Sequence, residues 1–232
     1  NFLNIYNVEN IKKNKYLNLL NQISISNKIA NLSKFDLITM PIDKSIFKKK
    51  IKFTGMTEHL GLLNNRKTIM LMHGENFSII PMTTHINLKS VNKYINFNYI
   101  NLFIKNIFFN LNKKFYLLKY KEIKFLCYNP HCSENYTLGK EDLLIKKIIC
   151  KHKKIKGSYS ADSAFRKVIK NTLYISTYHD QALIPFKILN NNSLNLTLGL
   201  DYRRLSPTHG TAKDIKNKFI ADNTSYIKCL LF

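Results

Sequence analysis

Three histidines of this sequence each follow a short apolar run that is predicted to be a strand. His85 follows residues 77–82, His131 follows residues 123–127 and His179 follows residues 173–177. In open α/β sheets, ligands bind outside the carboxyl ends of the strands. The three imidazoles could therefore converge on one divalent cation that keeps an open coordination position. The alternative is that each is an ordinary loop or partly buried histidine, because dispersed ligands are less specific than a spaced local motif.

The elements that would position these histidines alternate along the chain. The predicted strands cover residues 35–40, 68–72, 77–82, 123–127, 173–177 and 194–198. The predicted helices cover residues 9–31, 57–64, 88–113, 139–152, 161–170 and 180–189, and a last helical region starts over 209–217. Short apolar strands separated by helices predict an α/β fold with a buried, mostly parallel sheet.

The chain is strongly basic, with 37 Lys and Arg against 14 Asp and Glu and a formal net charge of +23. One interpretation is a nucleic-acid binder. The lysines are scattered, however, with dense runs only at 48–52 and 151–156, and no zinc-finger, basic-zipper or RNA-binding signature is present. We therefore interpret the charge as compositional drift of the surface and expect no nucleic-acid partner.

The cysteines and the apolar runs bear on the compartment. None of the four cysteines forms a C-x-x-C pair, which favours a reducing environment. No apolar run reaches about 18 residues, and the first residues do not look like a signal peptide. We expect a cytoplasmic protein with no membrane partner.

Seven segments, in order along the chain, resemble the motifs of one enzyme family. They are TGMTE (54–58), TTHINL (83–88), NPHCSE (129–134), SADSAF (160–165), YHDQALIPFK (178–187), NLTLGL (195–200) and HGTA (209–212). Together they resemble the 4-hydroxythreonine-4-phosphate dehydrogenase family of vitamin B6 biosynthesis. Seven matches in family order and with family-like spacing are more specific than any single motif.

The resemblance implies an α/β/α sandwich of the isocitrate and isopropylmalate dehydrogenase type, which is not a Rossmann fold. It also implies a homodimer whose sites lie at the subunit interface. Family members carry a further N-terminal portion of roughly a hundred residues, about one α/β portion. We therefore treat residues 1–232 as a single, incomplete catalytic unit.

The resemblance further implies an enzyme that oxidises 4-hydroxythreonine-4-phosphate at C3 with NAD or NADP. Metal-assisted decarboxylation to an aminoketone phosphate would follow, in the synthesis of pyridoxal phosphate. One divalent cation, Zn, Mg or Co, would favour deprotonation of the hydroxyl and then polarise the new ketone.

Individual roles follow from the same resemblance. The metal ligands would be His85, His131 and His179, the set that their places after strands had already suggested. The substrate-binding residues would be Met56, Thr57, Lys187, Asn195 and Arg204, and the cofactor loop would be His209, Gly210, Thr211 and Ala212. Gly210 would let the backbone approach the cofactor closely. The catalytic candidates are Lys187, Asp180 and Asp162, although each carboxylate, instead of orienting the metal site, could cap a helix N-terminus.

Some residues depart from the family pattern. Met56 stands where the family has a histidine, and a thioether cannot donate a hydrogen bond to a phosphate or carboxylate. The segments 132–133 and 135–136 replace small or glycine residues beside His131, and they would strain the loop if those positions have positive φ. Two alternatives stay open: a related dehydrogenase for another phosphorylated four-carbon hydroxy acid, and a catalytically inactive basic remnant.

Overall fold

The computed structural model describes residues 6, 8, 14–47, 53–218 and 220–232, which form one sheet flanked by helices. The helices are α1 (Lys15–Ser33), α2 (Met56–Leu63), α3 (Phe97–Leu111), α4 (Glu141–Ile149), α5 (Ala161–Ala164), α6 (His179–Leu189) and α7 (Thr224–Leu231). The strands are β1 (Leu37–Ile38), β2 (Ile69–Gly74), β3 (Phe77–Pro81), β4 (Glu122–Leu126), β5 (Ile155–Tyr159), β6 (Thr172–Ser176), β7 (Ser193–Leu198) and β8 (Arg204–Pro207). Short 3-10 helices cover Lys44–Phe47, Leu88–Tyr94, Lys114–Tyr116, Pro130–Ser133 and Lys213–Ile215.

The strands lie in the order β1-β8-β7-β2-β3-β6-β4-β5. Strands β3, β6, β4 and β5 run parallel, and so do β1 and β8. Antiparallel pairings of β2 with β3, β2 with β7 and β7 with β8 join these two groups. The predicted α/β fold with a mostly parallel sheet is confirmed, since four of the seven pairings between described strands are parallel. The carboxyl ends of β3, β6 and β4 therefore meet at one edge of the sheet.

Alternation along each strand sorts the side chains to two faces. In β2, Ile69 and Leu71 join a core that includes α3, α4 and α7, whereas Met70 and Met72 join a core that includes α6. Helices thus cover both faces of the sheet, and the helices and the sheet together form three layers. The closer kinship to isocitrate and isopropylmalate dehydrogenases stays a prediction.

Three strands of the structure differ from the prediction. The sequence does not predict β5, because only Ile155 of this edge strand is buried and no apolar run marks it. It does not predict β8 either, because the strand begins with the charged Arg204 although all four residues are buried. The buried strand predicted over 35–40 is only the two-residue β1, which is half-buried at the opposite edge.

Helix predictions differ mainly in length. Only α5 forms within the helix predicted over 161–170, and residues 209–217 hold a 3-10 turn rather than the start of a helix. The last helix begins instead at Thr224, whose N–H donates to Asp222 Oδ1 at 2.8 Å. Residues 9–13 of the first predicted helix, and the lysine run at 48–50 with Lys52, lie outside the described residues. Across the described part of the chain, no helix is long and apolar enough to span a lipid bilayer.

Candidate active site

A cleft of about 250 Å³ opens on the face of the sheet that α6 covers. We call it the site cleft. Of the residues singled out in the sequence, those that line it are Met56, Thr57, His85, His179, Lys187, Asn195, Arg204 and His209. The structure therefore brings together the whole predicted substrate-binding set and two of the three predicted metal ligands.

Pairing of β7 with its neighbours places polar side chains in this cleft. Asn195 lies opposite Met72 of β2, and Thr197 lies opposite Arg204 of β8. The leucines that alternate with Asn195 and Thr197 fill the core on the other face of the sheet. The pleat of β7 thus separates a dry face from a polar, ligand-facing one.

Arg204 is only 4% exposed, and threonine hydroxyls surround its guanidinium. Nε donates to Thr39 Oγ1 at 3.0 Å, and Nη1 donates to Thr197 Oγ1 at 3.2 Å and to Thr57 Oγ1 at 3.5 Å. Burial lowers the pKa of Arg204 to about 10, so the group remains charged at neutral pH. Among the described residues no carboxylate forms a salt bridge with it. A buried cation whose hydrogen-bond partners are all neutral is unfavourable, so this position is suited to an anionic group of a ligand.

One face of α6 contributes a second cation. His179, Leu183 and Lys187 are spaced by four residues, which places them on the same side of the helix, and all three line the site cleft. Lys187 is exposed and, within the described ranges, has no carboxylate partner. Its ammonium is therefore available to a ligand that enters the cleft.

The ends of β3 and β6 bring two of the predicted metal ligands together. Thr83, just past β3, donates its hydroxyl hydrogen to the Thr177 carbonyl, just past β6, at 2.8 Å. The segments that follow carry His85 and His179, whose ring centroids are 5.7 Å apart. Their convergence at the carboxyl ends of adjacent parallel strands matches the prediction for these two residues.

Each of the two rings has its own carboxylate against Nδ1. Glu58 Oε1 lies 3.1 Å from Nδ1 of His85, and Asp180 Oδ1 lies 2.7 Å from Nδ1 of His179. Burial raises the pKa of Glu58, but hydrogen bonds from His85 and Thr84 hold it below its ordinary value. When Nδ1 carries the proton, Nε2 of the neutral imidazole has a free lone pair.

His131 occupies a different place from the other two predicted ligands. It lies in the 3-10 turn Pro130–Ser133, which follows β4. The buried carboxylate of Asp142 holds this turn by accepting hydrogen bonds from the Asn129 N–H at 3.0 Å and from the Ser133 hydroxyl at 2.7 Å. The turn is therefore fixed to α4 and not to the site cleft.

The His131 side chain is 62% exposed, and Asp162 Oδ2 lies 3.9 Å from its Nδ1. Within the described residues, no group of three or more His, Cys, Asp or Glu side chains is placed to hold one metal ion. A single chain thus brings His85 and His179 together but does not bring His131 to them.

Neither Asp162 nor Asp180 occupies the N-cap position of its helix. The N-cap residues of α5 and α6 are Ser160 and Tyr178, and each aspartate lies inside the first turn. Asp162 instead accepts a hydrogen bond from the Ser160 hydroxyl, which lowers the pKa of Asp162. Each carboxylate also lies near a predicted metal histidine, His131 for Asp162 and His179 for Asp180.

The backbone after β4 has positive φ angles at the positions where the family has small or glycine residues. All residues from 131 to 136 have positive φ, between 43° and 71°. Such angles are unfavourable for residues with a Cβ and favour glycine. Cys132, Ser133 and Tyr136 therefore strain this loop, as the sequence predicts for substitutions at positions of positive φ.

The predicted cofactor loop, residues 209–212, is exposed, and only His209 of the four lines the site cleft. A Cβ added at Gly210 would meet nothing within 4 Å. No contact within the described chain therefore requires glycine at this position.

Two residues of the site were not assigned roles from the sequence. Glu58 is part of the TGMTE motif, but nothing local indicates that it reaches His85, 27 residues away. Gln181 follows Asp180, and its side chain accepts from the Thr177 N–H at 2.8 Å and donates to the Cys127 carbonyl at 2.8 Å. Gln181 thereby ties together the ends of β6 and β4. The only signal for either residue was its membership in a motif.

The fold and the cleft together define an α/β protein in whose cleft two imidazoles lie together with an arginine and a lysine. The family model described as "Pyridoxal phosphate biosynthetic protein PdxA" matches residues 11–232, and the chain belongs to this family. The resemblance based on the seven motifs is confirmed.

Curated relatives are 4-hydroxythreonine-4-phosphate dehydrogenases. That of Hydrogenobaculum sp. (strain Y04AAS1) is 36% identical over 199 residues, which cover 82% of this chain and 62% of the relative. That of Aquifex aeolicus (strain VF5) is 36% identical over 205 residues, which cover 84% of this chain and 62% of the relative. The chain thus spans about 62% of the length of these relatives.

Solved structures share the fold. A 4-hydroxythreonine-4-phosphate dehydrogenase from Klebsiella pneumoniae aligns with a TM-score of 0.74 at 24% identity, covering 92% of this chain and 68% of that one. One from Burkholderia phymatum aligns with a TM-score of 0.66 at 26% identity, covering 90% of this chain and 67% of that one. The first likeness, at its low identity, shows the fold alone.

Proposed function

We propose that the chain belongs to an NAD(P)- and divalent-metal-dependent 4-hydroxythreonine-4-phosphate dehydrogenase of pyridoxal phosphate biosynthesis. The enzyme would transfer hydride from C3 of the substrate to the nicotinamide, release the hydroxyl proton and then promote loss of CO2 to give an aminoketone phosphate. The observation that carries the proposal is the buried, carboxylate-free guanidinium of Arg204 in the cleft that also contains His85 and His179. The printed names of the relatives supply the substrate.

His85 and His179 fit a divalent cation such as Zn, Mg or Co. Both rings are close, and each has a carboxylate at Nδ1, which leaves Nε2 for the cation. We propose that His131 from a second copy of the chain completes the set in a homodimer, since His131 is exposed and, among the described residues of one chain, forms no metal-binding group with the other two histidines. When bound, the cation would polarise the reacting oxygen and stabilise negative charge that develops on it.

Four residues of the cleft would bind and orient the substrate. Arg204 would present a fork of donors to one oxyanion, and Lys187 would present a point charge to the other. Thr57 lies beside the Arg204 guanidinium. Asn195 Oδ1 is buried and has no hydrogen-bond partner among the described residues, so it is available to a donor on the substrate.

NAD or NADP would lie along the exposed loop of residues 209–212. His209 lines the site cleft, so this loop is adjacent to the proposed substrate position. The space beside Gly210 is open, and therefore nothing in the described chain blocks the approach of a nucleotide to the backbone there.

A second candidate is a dehydrogenase for another phosphorylated four-carbon hydroxy acid. Met56 replaces a polar residue of the family and lines the cleft together with Phe53 and Ile42. This apolar wall offers no hydrogen-bond donor and favours a substrate without a polar group at that position. Comparison of kcat/KM for 4-hydroxythreonine-4-phosphate and for four-carbon sugar-acid phosphates, in the protein and in Met56→His, distinguishes the two candidates.

NADH formation from 4-hydroxythreonine-4-phosphate and a divalent cation tests the proposed function. Because the chain spans only 62% of its relatives, the longest polypeptide that the gene encodes is used. His179→Ala should abolish turnover, whereas the control His152→Ala, whose ring instead contacts Asn101, should not. Absence of turnover with every tested substrate in a folded protein would exclude the proposal and support a catalytically inactive remnant.

A further inference from the structure

Glu58 links helix α2 to the loop that carries His85. Its Oε1 atom accepts a hydrogen bond from the Thr84 hydroxyl at 3.0 Å and lies 3.1 Å from His85 Nδ1. The carboxylate therefore contacts two successive residues of the segment that follows β3. Both side chains of the Glu58–His85 pair are about one-third exposed, at 32% and 34%, at the mouth of the site cleft.

We propose that Glu58 is a positioning residue: it accepts a hydrogen bond from the Nδ1–H of His85, so that this imidazole presents Nε2 to the divalent cation. The inference rests on the proposed metal-dependent function. A ligating histidine needs its second nitrogen held by an acceptor, because this contact fixes the tautomer and the ring orientation and raises the basicity of the ligating nitrogen.

The Glu58–His85 pair fills the space in which a side chain at residue 55 would lie. A Cβ at residue 55 would collide with Glu58 Oε2 and would lie 3.1 Å from His85 Cε1. The backbone of Gly55 is extended, with φ −173°, so any residue could adopt it. The glycine of the TGMTE motif is thus explained by the space that the Glu58–His85 pair occupies.

Glu58 differs from the carboxylates beside the other two histidines. Asp180 is adjacent in sequence to His179, and Asp162 is exposed and 3.9 Å from His131. Glu58 instead comes from a separate helix, which also carries Thr57 next to the Arg204 guanidinium. Helix α2 therefore contributes to both proposed sites: Thr57 lies at the anion site, and Glu58 contacts a histidine of the metal site.

Two measurements on the protein with Glu58→Leu and Glu58→Gln test the inference. Nitrogen-15 correlation spectra of the imidazoles report which nitrogen of His85 carries the proton, and titration with Co²⁺ reports the affinity for the cation. Glu58→Leu should lose the Nδ1–H tautomer of His85 and bind Co²⁺ about 10- to 100-fold more weakly. Glu58→Gln keeps an acceptor oxygen, and it should restore the tautomer and most of the affinity.

The control is Glu75→Leu, which removes an exposed carboxylate from the turn between β2 and β3. An unchanged His85 tautomer and unchanged Co²⁺ affinity in Glu58→Leu would overturn the role of Glu58. Failure of the unaltered protein to bind Co²⁺ would overturn the proposed metal site instead. The two failures are distinguishable, because the tautomer is measured without metal.

Discussion

The Arg204 guanidinium donates to the Thr197 hydroxyl at 3.2 Å, across the pairing of β8 with β7. This neutral partner orients the guanidinium without neutralising it. Arg204→Met should weaken binding of a phosphorylated substrate about 10- to 100-fold, the range expected for loss of a charge-assisted hydrogen bond. Without ligand, the same variant should be as stable as the original chain or more so, because a buried unpaired cation is removed. Isothermal titration calorimetry and denaturant unfolding measure the two effects.

Arg203→Met is the matched control for this prediction. Arg203 is the adjacent arginine, but its guanidinium pairs with the Asp36 carboxylate, with Nε 2.8 Å from Oδ1. Its loss should leave substrate affinity unchanged and lower stability by at most about 1 kcal/mol. Equal losses of affinity in both variants would indicate a general electrostatic effect of the basic chain rather than a specific anion site.

The placement of two pairs of site residues could be predicted from regular features of helices and parallel strands. His179 and Lys187 share a face of α6 because they are eight residues apart, which is two steps of four along the helix. His85 and His179 follow parallel strands that are neighbours in the sheet. Both relationships follow from the periodicity of helices and from the rule that ligands lie at strand ends.

Contacts that depend on how separate elements pack together could not be predicted in the same way. The contact of Glu58 with His85 depends on how α2 packs against the end of β3, and no local pattern encodes that packing. Strand β8 was missed because Arg204 interrupts its apolar character, although that same arginine is buried by its threonine neighbours. His131 follows a strand as predicted, yet its turn is held by the Asp142 carboxylate, and His131 does not line the site cleft.

Tyr116 supports the turn that connects β7 to β8. Its hydroxyl oxygen accepts a hydrogen bond from the Gly199 N–H at 3.0 Å, and the hydroxyl donates toward the Leu200 carbonyl at 3.3 Å. Tyr116→Phe should lower the free energy of unfolding by about 1–3 kcal/mol, because a buried N–H loses its partner. Thermal or urea unfolding checks this value. The control Tyr136→Phe removes an exposed hydroxyl and should change stability by less than about 0.5 kcal/mol; a comparable loss there would contradict the explanation.

Gly55→Ala tests the packing around the Glu58–His85 pair. The new methyl group would collide with Glu58 Oε2, so the carboxylate must move away from His85. We expect weaker Co²⁺ binding with little change in the free energy of unfolding, because the colliding atom is the end of a flexible side chain that can shift. Gly210→Ala is the matched control, because the same substitution there meets open space and should leave both quantities unchanged. Unaltered Co²⁺ affinity in Gly55→Ala would show that the pair tolerates displacement.

His73 makes the stability of the fold depend on pH. This residue lies in β2, where its Nδ1 is 2.8 Å from the Ser78 hydroxyl, and burial lowers the pKa of His73 to about 4, with a smaller contribution from the Lys228 charge. In the unfolded chain the pKa is about 6.5. Between these values the unfolded state binds more protons, so stability present above pH 6.5 is lost as the pH falls toward 4.

The loss attributable to His73 should reach up to about 3 kcal/mol by pH 4. His73→Phe removes the titrating group while it keeps an aromatic ring against Phe232, whose ring centroid is 5.2 Å from that of His73. The variant should therefore lose less stability than the original chain between pH 6.5 and 4 in urea unfolding. His209→Phe, at an exposed position, serves as the control and should keep the original pH dependence. Parallel pH profiles for the original chain and His73→Phe would contradict this explanation, because they would show that folding does not change the pKa of His73.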